Sequence, residues 1–228
     1  CVLAAREIGD GDVVFVGIGL PNLACNLARA THAPNMTLIY ESGAVGAVPE
    51  RVPPSIGDPA LVTGSLMVTS MADIFQSFLQ NGKIQIGFLG GAQVDRMGNI
   101  NTTVVGPYGE PKVRLPGSGG ACEIAQHAQR VLIVTKLDKR AFPAKVDFIT
   151  STGKRVAKVI TNMGILEPDG AGEMTLTALY PGVTFAQVQE NVGWSLKQKS
   201  PLAAVSLPSK QEIDLLRVKL DPKRLHIK

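Results

Sequence analysis

The chain has 228 residues, 45% hydrophobic and 5% aromatic, with 24 glycines and a formal net charge of +4. That length gives one large or two small domains with ample material for a core, and the composition suits a sheet-and-helix enzyme scaffold rich in tight turns. Between Ser206 and Lys228 six basic residues face three acids, so this tail supplies +3 of the charge, and no basic run is interleaved with aromatics, which argues against nucleic acid as a partner.

Val13-Val14-Phe15-Val16 is a continuous apolar run between Gly9-Asp10-Gly11-Asp12 and Gly17-Ile18-Gly19, the pattern of a strand buried on both faces. Pro21 suits a first helical turn, and Leu23, Ala24, Leu27 and Ala28 carry the helical period to Arg29. Thr37 to Tyr40 then reads as a second strand, which stops at Glu41. Strand, glycine loop, helix and strand make a βαβ unit. A carboxylate at a strand end, followed by Gly43, lies on a sheet rim where α/β proteins place reactive groups; the plain alternative is a solvated loop acid.

Further along, Asp73 to Gln80 is predicted as a helix stopped by Asn81-Gly82, and Ile84 to Leu89 as a buried strand ending in Gly90-Gly91. Asp95 to Asn101 reads as a turn-rich connection. Cys122 to Gln129 reads as a helix opening after Pro116-Gly117-Ser118-Gly119-Gly120, and Val131 to Thr135 as a strand. Val156 to Ile160, Gly164 to Leu166 and Met174 to Leu179 form a strand-like series with a turn at Glu167-Pro168-Asp169-Gly170, as in a meander added to a sheet. Thr184 to Gln187 and Ser209 to Glu212 both match the capping box that starts a helix. With no repeat, low-complexity segment or linker, one α/β domain over residues 1–228 is expected. Its core is a single open, mostly parallel sheet flanked by helices, with a mixed or antiparallel C-terminal addition.

Cys1, Cys25 and Cys122 are too few and wrongly spaced for a disulfide framework or a metal motif. His32, His127 and His226 are scattered, so each reads as structural or surface and no metal site is expected. No apolar stretch approaches the ~20 residues that span a bilayer. Free cysteines favour a cytoplasmic location. The chain opens on Cys1 rather than Met, which points to residues lost from its beginning and leaves a removed signal peptide open.

Of three glycine-rich loops, Gly17-Ile18-Gly19-Leu20-Pro21 departs from the dinucleotide fingerprint, because Asn22 stands where a third glycine belongs. Gly117-Ser118-Gly119-Gly120-Ala121 lacks the Lys-Ser/Thr ending of a phosphate-binding loop, and Pro116 spoils it as a hydrolase elbow. Its successive glycines before a helix can expose unpaired N–H groups to an oxyanion or phosphate, or can simply make a close-packed turn.

Five segments in register resemble the β subunit of family I coenzyme A transferases, along nearly the whole chain. They are Val16 to Pro21, Glu41-Ser42-Gly43, Gly90 to Asp95 with Gly98-Asn99, Gly117 to Ala121, and Tyr180 to Thr184 with Val188 and Gly193. The common family motif is Ser-Glu-Asn-Gly. Tyr40 replaces its Ser and Ser42 its Asn, a departure shared with the glutaconate CoA-transferase branch.

The resemblance implies that Glu41 is the nucleophile of a ping-pong transfer through a glutamyl-CoA thioester. It also implies that Gly117, Ser118, Gly119 and Gly120 form an oxyanion or CoA-binding loop, with Gly119 and Gly120 the favoured donors. One such donor is typically worth ~3 kcal/mol. Gln93 and Gly19 are the implied substrate contacts. No bound cofactor is implied: coenzyme A enters as the thioester substrate, with a carboxylic acid, dicarboxylic or oxo, as its counterpart. The partner implied is an α subunit, in an α2β2 or larger assembly, contributing much of the CoA pocket. Relatives on this scaffold act as thioester or ring-opening hydrolases or as decarboxylases, and a non-catalytic metabolite-binding protein is the reading from another class.

Overall fold

Short apolar runs bounded by Gly and Asp become short buried strands, and the computed structural model, which describes residues 1–49 and 51–227, distributes them over two units. The first contains Cys1–Phe88, His127–Gln129 and Leu207–Lys228; the second contains Leu89–Gln126 and Arg130–Ser206.

In the first unit the strands are β1 (Val13–Phe15), β2 (Thr37–Ile39), β3 (Ala44–Val45), β4 (Met67–Val68) and β5 (Ile86–Leu89), in the spatial order β5-β1-β2-β3-β4. β1 lies parallel to both neighbours, with Val14 opposite Leu38 on one side and Ile86 on the other. Val14, Leu38 and Ile86 are fully buried, each such side chain contributing about 1.5–3 kcal/mol through loss of apolar surface to water. Helix Leu20–Thr31 joins β1 to β2 and buries Leu23, Ala24, Leu27 and Ala28, the face that the periodicity predicts. The expected βαβ unit is therefore present. β3 and β4 add antiparallel strands after it, each only two residues long.

The predicted helix from Asp73 starts earlier. Ser70 caps Met71–Asp73 by accepting the N–H of Asp73, and the helix then continues as π-helical turns over Ile74–Leu79. Near the C-terminus Ser209 and Glu212 form the expected capping box on helix Lys210–Asp214. Asp221, almost fully buried, accepts the N–H groups of Leu225, His226 and Ile227 and so pins the tail.

The second unit holds two small hairpins, β6 (Gln93–Val94) with β7 (Ile100–Asn101) and β8 (Val104–Val105) with β9 (Val113–Arg114). Its main strands are β10 (Arg130–Val134), β11 (Val156–Ile160), β12 (Gly164–Pro168), β13 (Met174–Leu179) and β14 (Gln198–Ala204), adjacent in that order. β10 and β11 are parallel, β11, β12 and β13 form the antiparallel meander expected, and β14 runs parallel to β13. Thr184 and Gln187 complete the second capping box on helix Phe185–Glu190. The α/β class with an antiparallel addition is thus observed.

Two local differences have physical reasons. The turn-rich segment from Asp95 to Asn101 ends in a strand, because the Asp95 carboxylate accepts the N–H groups of Met97 and Asn99 and leaves Ile100–Asn101 free to pair. β14 carries Lys199 and Pro201 and is largely exposed, which an edge strand tolerates and an apolar-pattern search does not see. Among the described residues no helix is long and apolar enough to cross a membrane.

Candidate active site

β2 delivers Glu41 to the tip of a tight turn. The Tyr40 N–H donates to Ala44 O (2.9 Å) and the Gly43 N–H to Tyr40 O (3.0 Å), leaving Glu41 and Ser42 as the two residues that round the corner into β3. Gly43 has φ +107°, and a Cβ there would lie 2.0 Å from the carbonyl oxygen of Thr69. Only glycine combines that conformation with that approach. The Thr69 N–H returns a bond to Gly43 O (3.0 Å), so the turn is laced to the chain leading out of β4.

Glu41 itself is half-buried, and among the described residues its carboxylate makes no hydrogen bond or ion pair. This separates it from the acids nearby in the fold: Asp58 is bidentate with Arg51, and Asp73 accepts from Thr69 and Ser70. Those carboxylates hold structure, whereas Glu41 is presented with its lone pairs unused.

The residue before it is the anchor. Tyr40 is 0% exposed and its hydroxyl accepts from Asn22 Nδ2, which is also 0% exposed. Burial pushes the Tyr40 phenol up to about 12, with the Asn22 bond pulling the other way. Asn22 sits in the first turn of helix Leu20–Thr31, and its Oδ1 takes a bond from Asn26 one turn later (3.0 Å). Gly19 caps that helix with φ +99° and open space around its Cα. The Val16 N–H donates to Ile39 O (3.1 Å), so the Gly17-Ile18-Gly19 loop and the Glu41 turn leave the carboxyl ends of adjacent parallel strands. Open α/β sheets put ligands at that edge.

The other predicted residues lie in the second unit. Gly117 (φ +97°) is held at both polar ends by Thr102: its N–H donates to Thr102 O and its carbonyl accepts from Thr102 Oγ1, both 2.8 Å. Ser118 Oγ accepts the Cys122 N–H (3.3 Å), and helix Ala121–His127 follows. Among the described residues no hydrogen bond takes the N–H of Gly119 or Gly120. Of the four loop residues, Gly117 is thus committed to the scaffold, and among the described residues no hydrogen bond takes the N–H of Ser118 either.

Gln93 is buried and hydrogen-bonded through both ends of its amide. Its Oε1 accepts from Asn101 Nδ2 (2.7 Å) and from the Asp147 N–H (3.1 Å), while its Nε2 donates to Asp147 Oδ2 (3.0 Å). It opens β6 and is paired with Asn101 of β7. The flanking glycines are packing positions: a Cβ on Gly91 would meet Ile100 Cγ2 at 2.3 Å and one on Gly98 would meet Met174 Cε at 2.6 Å.

Sequence reasoning overlooked Asn22 and Thr102. Asn22 left a trace as the departure from a glycine fingerprint. Thr102 left none.

Residues 2–191 match the family described as Coenzyme A transferase. The chain belongs to that family. It is 47% identical to the β-type subunit of 3-oxoadipate CoA-transferase from Pseudomonas knackmussii, over 95% of this chain and 89% of that protein. It is 34% identical to the β-type subunit of glutaconate CoA-transferase from Acidaminococcus fermentans, over 97% and 90%. The crystal structure of glutaconate CoA-transferase from that organism superposes with a TM-score of 0.91 at 33% identity, covering 100% of this chain and 95% of the other. The decarboxylase AibA/AibB gives a TM-score of 0.90 at 29% identity, covering 98% and 93%. This CoA-transferase chain is therefore of the β type, and its fold is that of glutaconate CoA-transferase.

Proposed function

We propose that this chain is the catalytic half of a heteromeric CoA-transferase, with Glu41 as its nucleophile. The observation that carries the reading is the turn at β2: a carboxylate held at a strand tip by a buried Tyr40 and an obligatory Gly43, yet without a bond among the described residues. A structural acid has partners; a nucleophile needs a free lone pair and a fixed position.

In the proposed cycle a Glu41 oxygen attacks the acyl-CoA carbonyl, and the tetrahedral intermediate collapses to a glutamyl anhydride and CoA thiolate. The thiolate attacks the glutamyl carbonyl, which releases the first acid as carboxylate and leaves CoA on Glu41 as a thioester. A second carboxylate then reverses both steps. The free N–H groups of Gly119 and Gly120 are the proposed oxyanion donors. The acyl group is proposed to be a dicarboxylic or oxo acid, supported by 47% identity to a protein named for 3-oxoadipate. An α-type subunit is proposed as partner, supported by the naming of both transferase relatives as one subunit of an enzyme and by the two-chain name of AibA/AibB.

The test is digestion and mass spectrometry after adding acyl-CoA to the assembled enzyme. A CoA adduct that hydroxylamine removes is expected on the peptide containing Glu41. Turnover with no such adduct would sink the mechanism. Similarity to a decarboxylase supports a second reading on the same scaffold, and release of CO2 without any acceptor acid would favour it.

A further inference from the structure

Packing does not hold the loop from Gly117 to Gly120. Gly117 and Gly119 both have positive φ (+97° and +48°), and a Cβ built on either would meet nothing within 4 Å. Glycine in open space is the freest backbone a chain has, and fixing a residue costs about 1–2 kcal/mol. N–H groups serve an oxyanion only where that freedom has been removed beforehand. The following helix restrains one end: Ser118 O accepts the Ala121 N–H (2.9 Å) and Gly120 O the Ile124 N–H (3.0 Å).

Thr102 restrains the other end. Its carbonyl accepts the Gly117 N–H and its Oγ1 donates to the Gly117 carbonyl, so the peptide groups on both sides of Gly117 are fixed. The second of these has a consequence for the loop. The peptide between Gly117 and Ser118 is planar and trans, so its carbonyl and its N–H point in opposite directions. A hydroxyl that fixes the Gly117 carbonyl therefore aims the Ser118 N–H, which no hydrogen bond takes among the described residues. By the same geometry the bond from Ala121 to Ser118 O aims the Gly119 N–H.

Thr102 is itself held from behind. Its N–H donates to Thr150 Oγ1 (2.9 Å), which also bonds Thr103 Oγ1 (2.7 Å). Its neighbour Asn101 is 0% exposed, and Asn101 Oδ1 accepts the Thr103 N–H (2.9 Å). A rigid support thus ends in one hydroxyl directed at the loop. We infer that Thr102 is a positioning residue for the proposed oxyanion loop, its hydroxyl aiming the Ser118 N–H through the Gly117–Ser118 peptide. The inference rests on the proposed transfer cycle and adds to it a third donor and the group that orients it.

The experiment uses the assembled enzyme in wild-type, Thr102→Val, Thr102→Ala, Thr102→Ser and Ser151→Ala forms, with circular dichroism melts to check folding. Valine keeps the shape of threonine, alanine asks for no room, and both lack the hydroxyl. A loop that has lost its aim slows chemistry and leaves binding in place. Turnover is therefore expected to fall about 10- to 100-fold in both, without a rise in the KM for acyl-CoA. Thr102→Ser keeps the hydroxyl and is expected to restore turnover. Ser151 has a buried hydroxyl with no hydrogen-bond partner among the described residues, so Ser151→Ala is expected to leave turnover unchanged. A folded Thr102→Val or Thr102→Ala enzyme with wild-type turnover would overturn the inference. So would a loss carried by KM alone, or a Thr102→Ser enzyme as slow as Thr102→Val. Mass spectrometry of quenched reactions separates the two levels of the argument. A CoA adduct on Glu41 that forms as fast in Thr102→Val as in wild type removes the inference alone, whereas a wild-type enzyme that turns over without the adduct removes the transfer cycle and the inference with it.

Discussion

Asn22 and Tyr40 are hydrogen-bonded to each other with both side chains removed from water. Each is a departure from a sequence pattern: Asn22 from a glycine fingerprint, Tyr40 from the Ser of the common family motif. The structure makes them one event. A helix whose first turn carries an amide, and a strand followed at once by a phenol, meet one residue before the candidate nucleophile.

The first prediction follows from that pairing. Tyr40→Phe leaves the Asn22 amide buried without this partner and is expected to cost about 1–3 kcal/mol of stability. Replacing both, as Tyr40→Phe with Asn22→Leu, is expected to cost less than the sum of the two single changes, because no polar group is then stranded. Urea denaturation of the four proteins measures the coupling. Additive single and double variants would show that the bond has no energetic weight.

Glu41→Gln separates chemistry from folding. The carboxylate has no partner among the described residues, so its loss is expected to change stability by no more than about 0.5 kcal/mol. CoA transfer is expected to fall by roughly 1,000-fold or more, since an amide neither attacks a thioester nor forms the anhydride. Steady-state turnover of the assembled enzyme and a thermal melt of the same preparation decide it. A large fall in melting temperature would mean that Glu41 is structural after all.

Gly43→Ala probes the turn itself. The substitution places a methyl group 2.0 Å from Thr69 O at a backbone angle that alanine rarely adopts, so β3 must move. Strain and overpacking together are expected to cost about 2–4 kcal/mol. Gly19→Ala shares a positive φ but meets open space, and is expected to cost only the conformational part, about 1–2 kcal/mol. Equal losses in chemical denaturation would contradict the close approach.

How much of this was legible depended on what each feature asks of a side chain. β1, β2 and the helix between them announce themselves through buried Val, Leu and Ile at the right period, and both capping boxes were visible as four-residue patterns. β3 and β4 were not, because two residues cannot show an alternation and β4 has no buried face. The Glu41 turn was visible as strand, acid and glycine. The unbonded state of its carboxylate was not, since no pattern in the sequence tells which acids find partners, as Asp58 finds Arg51 and Asp73 finds Thr69 and Ser70. The bonds that Gln93 makes to Asn101 and Asp147 were not legible either, since they join residues far apart in the sequence.

The last prediction concerns the ends of the chain. Arg6, on the N-terminal helix, donates to both oxygens of Glu212 (3.0 and 2.7 Å), the N3 residue of the C-terminal capping box. The Arg6 hydrogen bonds, with help from the Ser209 backbone, hold the Glu212 carboxyl at about 2, against an ordinary value of 4.5. A carboxylate depressed on folding stabilises the native state above its unfolded pKa, and that contribution is lost as pH falls from about 4.5 towards 2. Arg6 is partly open to solvent, so screening keeps the effect modest and salt-sensitive. The urea midpoint is therefore expected to fall through that window, and Arg6→Ala is expected to flatten the fall. It should also loosen residues 207–227 in amide exchange while leaving the core strands protected. An Arg6→Ala variant with the wild-type acid profile would place the acid sensitivity elsewhere, with Asp221 the next carboxylate to test, since its bonds to Leu225, His226 and Ile227 hold the same tail.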